Sequence, residues 1–201
     1  MDLFQTEVIN LLPYDGEANY HGLVMDLSDA DRLYTKLFES IAWQHDQAII
    51  FNKHITTRRK VAWYGDENYA YTYSNTTKYA LPWTPELIEL KQLAEKLTGT
   101  SFNSCLLNLY HDGSEGMAWH SDDEKSLGKN TAIASFSLGA ARKFAFKHKR
   151  TKESYALTLA HGSLLVMQGT TQTHWLHRLP PTTSVTQARI NLTFRTIIDH
   201  D

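Results

Sequence analysis

Arg189-Ile190-Asn191-Leu192-Thr193-Phe194-Arg195 alternates polar and apolar side chains without a break. Strict alternation with β-branched and aromatic members is the pattern of a half-buried strand. Successive side chains on a strand leave from opposite faces, so the two arginines, the asparagine and the threonine share one wall. At about 3.3 Å per residue the two arginine Cα atoms stand roughly 20 Å apart, and side chains leaning inward leave a gap suited to a small dianion. Arginine grips a carboxylate bidentately and stays charged at any working pH. An edge strand with a solvated polar face is the competing reading. The identities of the four polar residues favour an anion-binding wall.

The chain has 201 residues, which suits one domain with a sizeable core. An apolar fraction of 42% and a charged fraction of 21% are ordinary for a soluble globular protein. No apolar run is long enough to cross a bilayer. The opening Met-Asp-Leu-Phe-Gln-Thr-Glu is acidic and has no signal-peptide pattern. A single cysteine, Cys105, excludes an internal disulfide and fits a reducing compartment. The expected location is therefore intracellular: cytoplasmic, or nuclear in a eukaryote. A formal net charge of −2 does not announce a nucleic-acid binder. The charge is uneven, however. Lys53, Arg58, Arg59 and Lys60 form one basic group, and Arg142, Lys143, Lys147, Lys149, Arg150 and Lys152 form another. Together they predict two phosphate-facing edges.

In the N-terminal half, Asp15-Gly16 reads as a turn flanked by short strands. Ser28 with Asp31 predicts a capping box, and Leu33, Leu37, Phe38 and Ile41 an apolar helical stripe ending near Trp43. Ala48 to Lys53 is a short apolar run closing on a polar turn. Tyr71-Thr72-Tyr73 predicts a strand with both tyrosines on one face, a platform on which a base can stack. Thr84-Pro85 opens a second helix whose stripe is Leu87, Leu90, Ala94 and Leu97, and Gly99 stops it. From Ser101 onward the pattern is short strands separated by glycines: Ser104 to Tyr110, Ala132 to Leu138, Lys143 to Phe146, Tyr155 to Leu159 and Ser163 to Met167. Regular short strands predict a sandwich or jelly-roll barrel, with the helices buttressing one β core.

His120-Ser121-Asp122 sets a nitrogen and an oxygen ligand two residues apart, both pointing one way on extended backbone. With 10 histidines in the chain, such a triplet is weak alone. It gains meaning from a distant third ligand, for which His161, His174 and His177 are all candidates. Two histidines and a carboxylate with open positions suit a non-haem Fe(II) oxygenase, and zinc accepts the same set.

Four segments occur in the order found in the AlkB family of Fe(II)- and 2-oxoglutarate-dependent nucleic-acid dealkylases. They are Asn108-Leu109-Tyr110, His120 to Glu124, Trp175-Leu176-His177-Arg178-Leu179-Pro180, and the Arg189 to Arg195 strand. The chain resembles that family from about Gly16 to Thr196, nearest to its eukaryotic-type DNA and RNA repair members. The resemblance implies an α+β fold: a double-stranded β-helix (jelly-roll) core with N-terminal buttressing helices and a nucleotide-recognition lid. It implies one dioxygenase domain over residues 1–201, with helices and lid in 1–100 and the catalytic jelly roll in 101–197. It selects His177 as the distal ligand, so that His120, Asp122 and His177 hold iron. It assigns Arg189 to the distal carboxylate of 2-oxoglutarate, helped by Tyr110 and Asn191. Arg195, with Asn108 and Thr193, falls to the carboxylate nearer the metal.

On the substrate side, Tyr71, Thr72 and Tyr73 are similar to the family's lid, with Tyr73 stacking on the damaged base and Asp123 contacting it. Phe51-Asn52-Lys53 resembles the finger that one duplex-acting branch inserts for a flipped base, although Asn52 stands where that branch has glycine. The implied reaction is repair of DNA damage by oxidative demethylation of 1-methyladenine- and 3-methylcytosine-type bases. It consumes dioxygen and 2-oxoglutarate and releases succinate and formaldehyde. The expected partner is alkylated DNA, with RNA second, no membrane, and a monomeric enzyme. An oxygenase of the same fold acting on a protein or lipid is the alternative. A non-catalytic barrel with a structural metal is a third reading, and it gives no reason for the arginine wall.

Overall fold

A computed structural model describes residues 8–50, 53–73 and 76–198 of the chain. In chain order the strands are β1 (Ile9–Asn10), β2 (Glu17–Leu23), β3 (Gln44–Ile50), β4 (Lys53–Gly65), β5 (Ala70–Tyr73), β6 (Thr76–Tyr79), β7 (Ser104–Tyr110), β8 (Met117–His120), β9 (Ile133–Gly139), β10 (Arg142–His148), β11 (Ser154–Leu159), β12 (Ser163–Gln168), β13 (Trp175–Leu179) and β14 (Arg189–Arg195). The helices are α1 (Leu27–Ser40), α2 (Pro85–Thr98) and the single turn α3 (Thr171–His174).

The strands form a major sheet in the order β1-β2-β12-β9-β14-β7-β4-β3 and a minor sheet in the order β11-β10-β13-β8, with β5 and β6 as a separate hairpin. Between the sheets lies an apolar cluster that includes Ala18, Ile133, Leu165 and Met167 from the major sheet and Phe146, Leu159 and Trp175 from the minor one. On the other face of the major sheet, Leu33 and Leu37 of α1 and Leu87 and Leu90 of α2 pack against Leu107, Phe136, Ile190, Leu192 and Phe194. This is the jelly roll with buttressing helices that the strand pattern predicts. The strands do not respect the expected division at residue 100. Four of the eight in the major sheet, β1 to β4, precede it, extending the sheet on both sides of β12, β9, β14 and β7.

Both long helices begin and end for local reasons, one of them not where expected. Asp26, not Ser28, caps α1: its carboxylate accepts from the Asp29 amide at 2.8 Å. The Ser28 hydroxyl is spent as a donor to that same carboxylate, 2.8 Å away. Asp31 instead meets His161 at 3.1 Å, so no capping box forms. The helix ends at Ser40, and its buried stripe is Ala30, Leu33 and Leu37. Phe38 has turned a further 100° around the axis and is 42% exposed, as Leu97 is 37% exposed on α2. In α2 the expected signals hold. Thr84 accepts from the Leu87 amide, Pro85 takes the first turn, and Gly99 adopts φ 68° in the left-handed region.

Candidate active site

β14 is not an edge strand. It pairs on one side with β7 and on the other with β9. Its apolar residues Ile190, Leu192 and Phe194 are buried under the helices, so Arg189, Asn191, Thr193 and Arg195 face the minor sheet. Register sets Tyr110 and Asn108 of β7 opposite Arg189 and Asn191, and Ser137 and Ser135 of β9 opposite Asn191 and Thr193. The wall therefore spans three strands, and it is lined rather than solvated: Arg189 and Thr193 are buried.

Facing it, β13 pairs with β8 so that His177 lies directly opposite His120. The two rings are 4.2 Å apart between centroids. Ligand atoms of His120, Asp122 and His177 all lie within 4.8 Å of one another. Each is prepared to coordinate. His120 sets Nδ1 against the carbonyl of Ala118 at 2.8 Å, which places its proton there and turns the bare Nε2 toward Asp122 Oδ1, 3.8 Å away. His177 is almost fully buried, and burial pushes its pKa down to about 3, so it presents a neutral ring. Phe144 stacks on that ring at 5.5 Å. Burial alone pushes the Asp122 carboxyl up, but the Arg195 guanidinium, which is both charged and hydrogen-bonded to it, outweighs that and holds the group ionised. Arg195 donates to Oδ2 at 2.8 Å, leaving Oδ1 directed at His120. Two imidazole nitrogens and one carboxylate oxygen form a donor set that fits Fe(II).

The Arg189 end of the wall is equally specific. Arg189 is 2% exposed, yet among the described residues its guanidinium has one hydrogen-bond partner, the neutral Ser137 Oγ at 2.8 Å. Its Nε has no partner among the described residues. Burial brings its pKa down to about 10, with the Tyr110 hydroxyl opposing and Arg142 reinforcing the fall. A buried cation without a counter-charge is costly, and an incoming carboxylate relieves it. Asn191 donates to Ser135 Oγ at 2.8 Å and to the Phe136 carbonyl at 3.0 Å, and Thr193 donates to Asn191 Oδ1 at 3.2 Å. These bonds lock the centre of the wall to β9.

Among the remaining histidines, the structure separates the three distal candidates. His161 bridges the Gly139 amide and Asp31. His174 stacks on His148, and with Asp15 these two form a second cluster of metal-type donors. The Thr151 amide donates to His148 Nδ1 at 3.0 Å. That nitrogen's lone pair is thus used, and Nε2 carries a proton where a metal would need a lone pair.

Two expectations about basic residues are corrected. Arg142 is buried, and its guanidinium donates to the carbonyls of Asp112, Gly113, Glu115 and Pro180, so it fastens two loops and faces no phosphate. Arg59 turns inward to Asp46 and Asn108, joining β4 to the arginine wall. Lys149 donates to Ser121 Oγ and to the Gln172 carbonyl. On the substrate side, Asp123 is 66% exposed at the side chain, with Lys149 Nζ 3.7 Å away. Phe51 and Asn52 lie outside the described residues. Lys53 begins β4, and Tyr71, Thr72 and Tyr73 lie in β5, paired with β6; only their backbone is described. Residues that the sequence reading passed over include Ser135 and Ser137, whose polar alternation in an apolar strand was a legible signal. Gln172, which accepts from the Asp122 amide at 2.9 Å, had none.

A family model described as the 2OG-Fe(II) oxygenase superfamily matches residues 19–195. Alpha-ketoglutarate-dependent dioxygenase alkB homolog 3 of Bos taurus is 40% identical over 183 residues, covering 86% of this chain. The chain spans 63% of that protein's length. DNA oxidative demethylase ALKBH2 of Mus musculus is 39% identical over 182 residues, covering 85% of this chain and 76% of that protein. A solved structure of OsALKBH1 superposes with a TM-score of 0.63 at 15% identity, covering 92% of this chain and 98% of that one, a likeness of fold alone.

Proposed function

The chain belongs to the AlkB family within the 2OG-Fe(II) oxygenase superfamily, and we propose that it oxidatively demethylates N-alkylated bases of the 1-methyladenine and 3-methylcytosine kind in DNA, with RNA as a second substrate. The mouse relative's name, DNA oxidative demethylase, supports this substrate class. With Fe(II), 2-oxoglutarate and dioxygen bound, the centre supplies a two-electron oxidation of the N-methyl carbon, coupled to decarboxylation of 2-oxoglutarate to succinate. The resulting hemiaminal breaks down to formaldehyde and the restored base.

In this reading His120, Asp122 and His177 hold the iron. Arg189 takes the distal carboxylate of 2-oxoglutarate, with Tyr110 and Asn191 beside it. Arg195, Asn108 and Thr193 stand toward the carboxylate nearer the metal. Arg195 also keeps Asp122 ionised, so one guanidinium orients both ligand and co-substrate. Tyr73 stacks on the base beneath a lid that includes Tyr71 and Thr72, and Asp123 faces it. A methylated ring nitrogen makes the base cationic, so a carboxylate and aromatic faces favour the lesion over the undamaged base. To Phe51, Asn52 and Lys53 we assign the role of filling the space that a flipped base leaves in a duplex. Extruding the base costs a few kcal/mol, least for an unpaired lesion. We read residues 1–201 as one dioxygenase domain that works inside the cell as a monomer. Among the described residues no helix is long and apolar enough to cross a membrane.

The observation that carries the proposal is Arg189, buried with no counter-charge among the described residues, on the same wall as the Arg195–Asp122 pair. The test is mass spectrometry of short methylated DNA and RNA oligomers, single- and double-stranded, incubated with Fe(II) and 2-oxoglutarate. Loss of one methyl mass with matching succinate and formaldehyde is expected, and none with His120→Ala. Succinate formation with every oligomer unchanged would leave the oxygenase and remove nucleic acid as its substrate.

A further inference from the structure

Asp122 sits where the ladder has stopped. The β8 strand ends at His120, which is still paired with His177, and the backbone beyond it belongs to no strand. The Asp122 amide therefore has no ladder carbonyl to donate to, and a ligand on unpaired backbone is free to wander unless side chains hold it. Two do. Arg195 holds the carboxylate from the major sheet. On the other side, Gln172 Oε1 accepts from the Asp122 amide at 2.9 Å.

Gln172 is itself held. It lies in α3, the turn that feeds directly into β13 and so into His177. Its backbone carbonyl accepts from Lys149 Nζ at 2.8 Å, and the same ammonium donates to Ser121 Oγ at 3.0 Å, between the two ligands His120 and Asp122. The Lys149 amide donates to the His174 carbonyl at 2.8 Å. Thr171, next to Gln172, accepts from the Glu17 amide of β2 at 2.7 Å. Among the described residues the Gln172 side-chain nitrogen has only a sulfur partner, Met167 Sδ at 3.7 Å, so the side-chain oxygen is the end with a strong bond.

We propose that Gln172 is a positioning residue for the iron carboxylate: it fixes the Asp122 backbone after β8 has ended and so keeps Oδ1 turned toward His120 and His177, while Lys149 holds the turn that carries it. The brace sets the distance between the two ligand-bearing segments from outside the metal's own coordination. This rests on the reading of His120, Asp122 and His177 as the ligands, and deepens it by one residue.

The test is Co(II) titration of the apo protein, followed by d–d absorption, beside apo melting temperatures. Gln172→Met keeps the length and removes the acceptor. It should raise the Co(II) Kd by about 10-fold, the scale for losing an outer partner of a metal ligand. Its apo melting temperature should fall by no more than about 4 °C. Gln172→Glu keeps an oxygen at the same reach and should bind within about threefold of the parent. A Met variant with the parent's Kd, or a Glu variant as weak as the Met one, overturns the proposal. Should Gln172→Met fail to fold, Gln172→Asn takes its place: it withdraws the acceptor by one methylene and should show the same weakening, and parent-like binding by it overturns the proposal equally. Asp122→Ala distinguishes the two layers. If that variant still binds Co(II) like the parent, the ligand assignment itself is wrong; if it loses Co(II) while Gln172→Met does not, only the positioning role is.

Discussion

Replacing Arg189 by methionine should make the apo protein more stable while disabling it. The guanidinium is 2% exposed, with a hydroxyl as its partner and its Nε unbonded among the described residues. Burial holds its pKa down to about 10. At about 1.4 kcal/mol for each factor of ten, that depression makes the charged form roughly 3 kcal/mol less favourable in the fold than in water. Methionine fills a similar unbranched volume without a charge. It forfeits the Ser137 hydrogen bond, about 1 kcal/mol, for a net gain of roughly 2 kcal/mol. For a chain of this size the melting temperature should then rise by roughly 4–8 °C. 2-Oxoglutarate has the opposite effect on the pair. At about 100 times its Kd it should add about 2.7 kcal/mol to the parent. In the variant most of that response should vanish, because the distal carboxylate has lost its cation. Scanning fluorimetry with Mn(II) in place of iron, with and without 2-oxoglutarate, reads both effects without turnover. A variant that melts below the parent, or that responds to 2-oxoglutarate as the parent does, refutes the reasoning.

Arg142→Met should behave oppositely to Arg189→Met, although both guanidiniums are buried. It strands four carbonyls that the guanidinium now serves, and urea unfolding should show a loss of about 3 kcal/mol or more. Gly99→Ala places a side chain at φ 68° where its Cβ meets nothing within 4 Å, so only backbone strain is felt. The expected cost is about 1 kcal/mol in the same assay. Asp123→Asn removes a carboxylate that is 66% exposed and therefore screened. Its kcat/KM on 1-methyladenine should fall by about fivefold, corresponding to roughly 1 kcal/mol, with little change on a neutral etheno adduct. Equal loss on both lesions would deny Asp123 any sensing of base charge.

Local chemistry made part of this structure legible in advance. Alternation in Arg189 to Arg195 stated which residues share a face, and sheet register then placed Tyr110, Asn108, Ser135 and Ser137 against them. Thr84, Pro85 and Gly99 punctuate α2 through backbone preferences that need no tertiary context. Other features depend on what lies across the fold. Whether β14 is an edge or a centre is decided by β7 and β9, distant in sequence. Arg142 reads as one of six nearby basic residues, and only the crossing of two loops reveals why it alone is buried. Arg59 reads as a phosphate contact until Asp46 and Asn108 are seen to claim it. The distal ligand is open among His161, His174 and His177 on spacing alone. The pairing of His177 with His120 brings them together in the fold.

The double pairing of β14 also divides the molecule by how readily its parts open. A strand bonded on both sides exposes its amides only when the whole sheet comes apart, so the wall of Arg189, Asn191, Thr193 and Arg195 should be among the last regions to exchange with deuterated solvent. Among the described residues β3 has one neighbouring strand, and β5 and β6 pair only with each other. These peripheral ribbons can drift in sequence without loosening the centre. Sequence change there should therefore leave the exchange protection of β14 as it is.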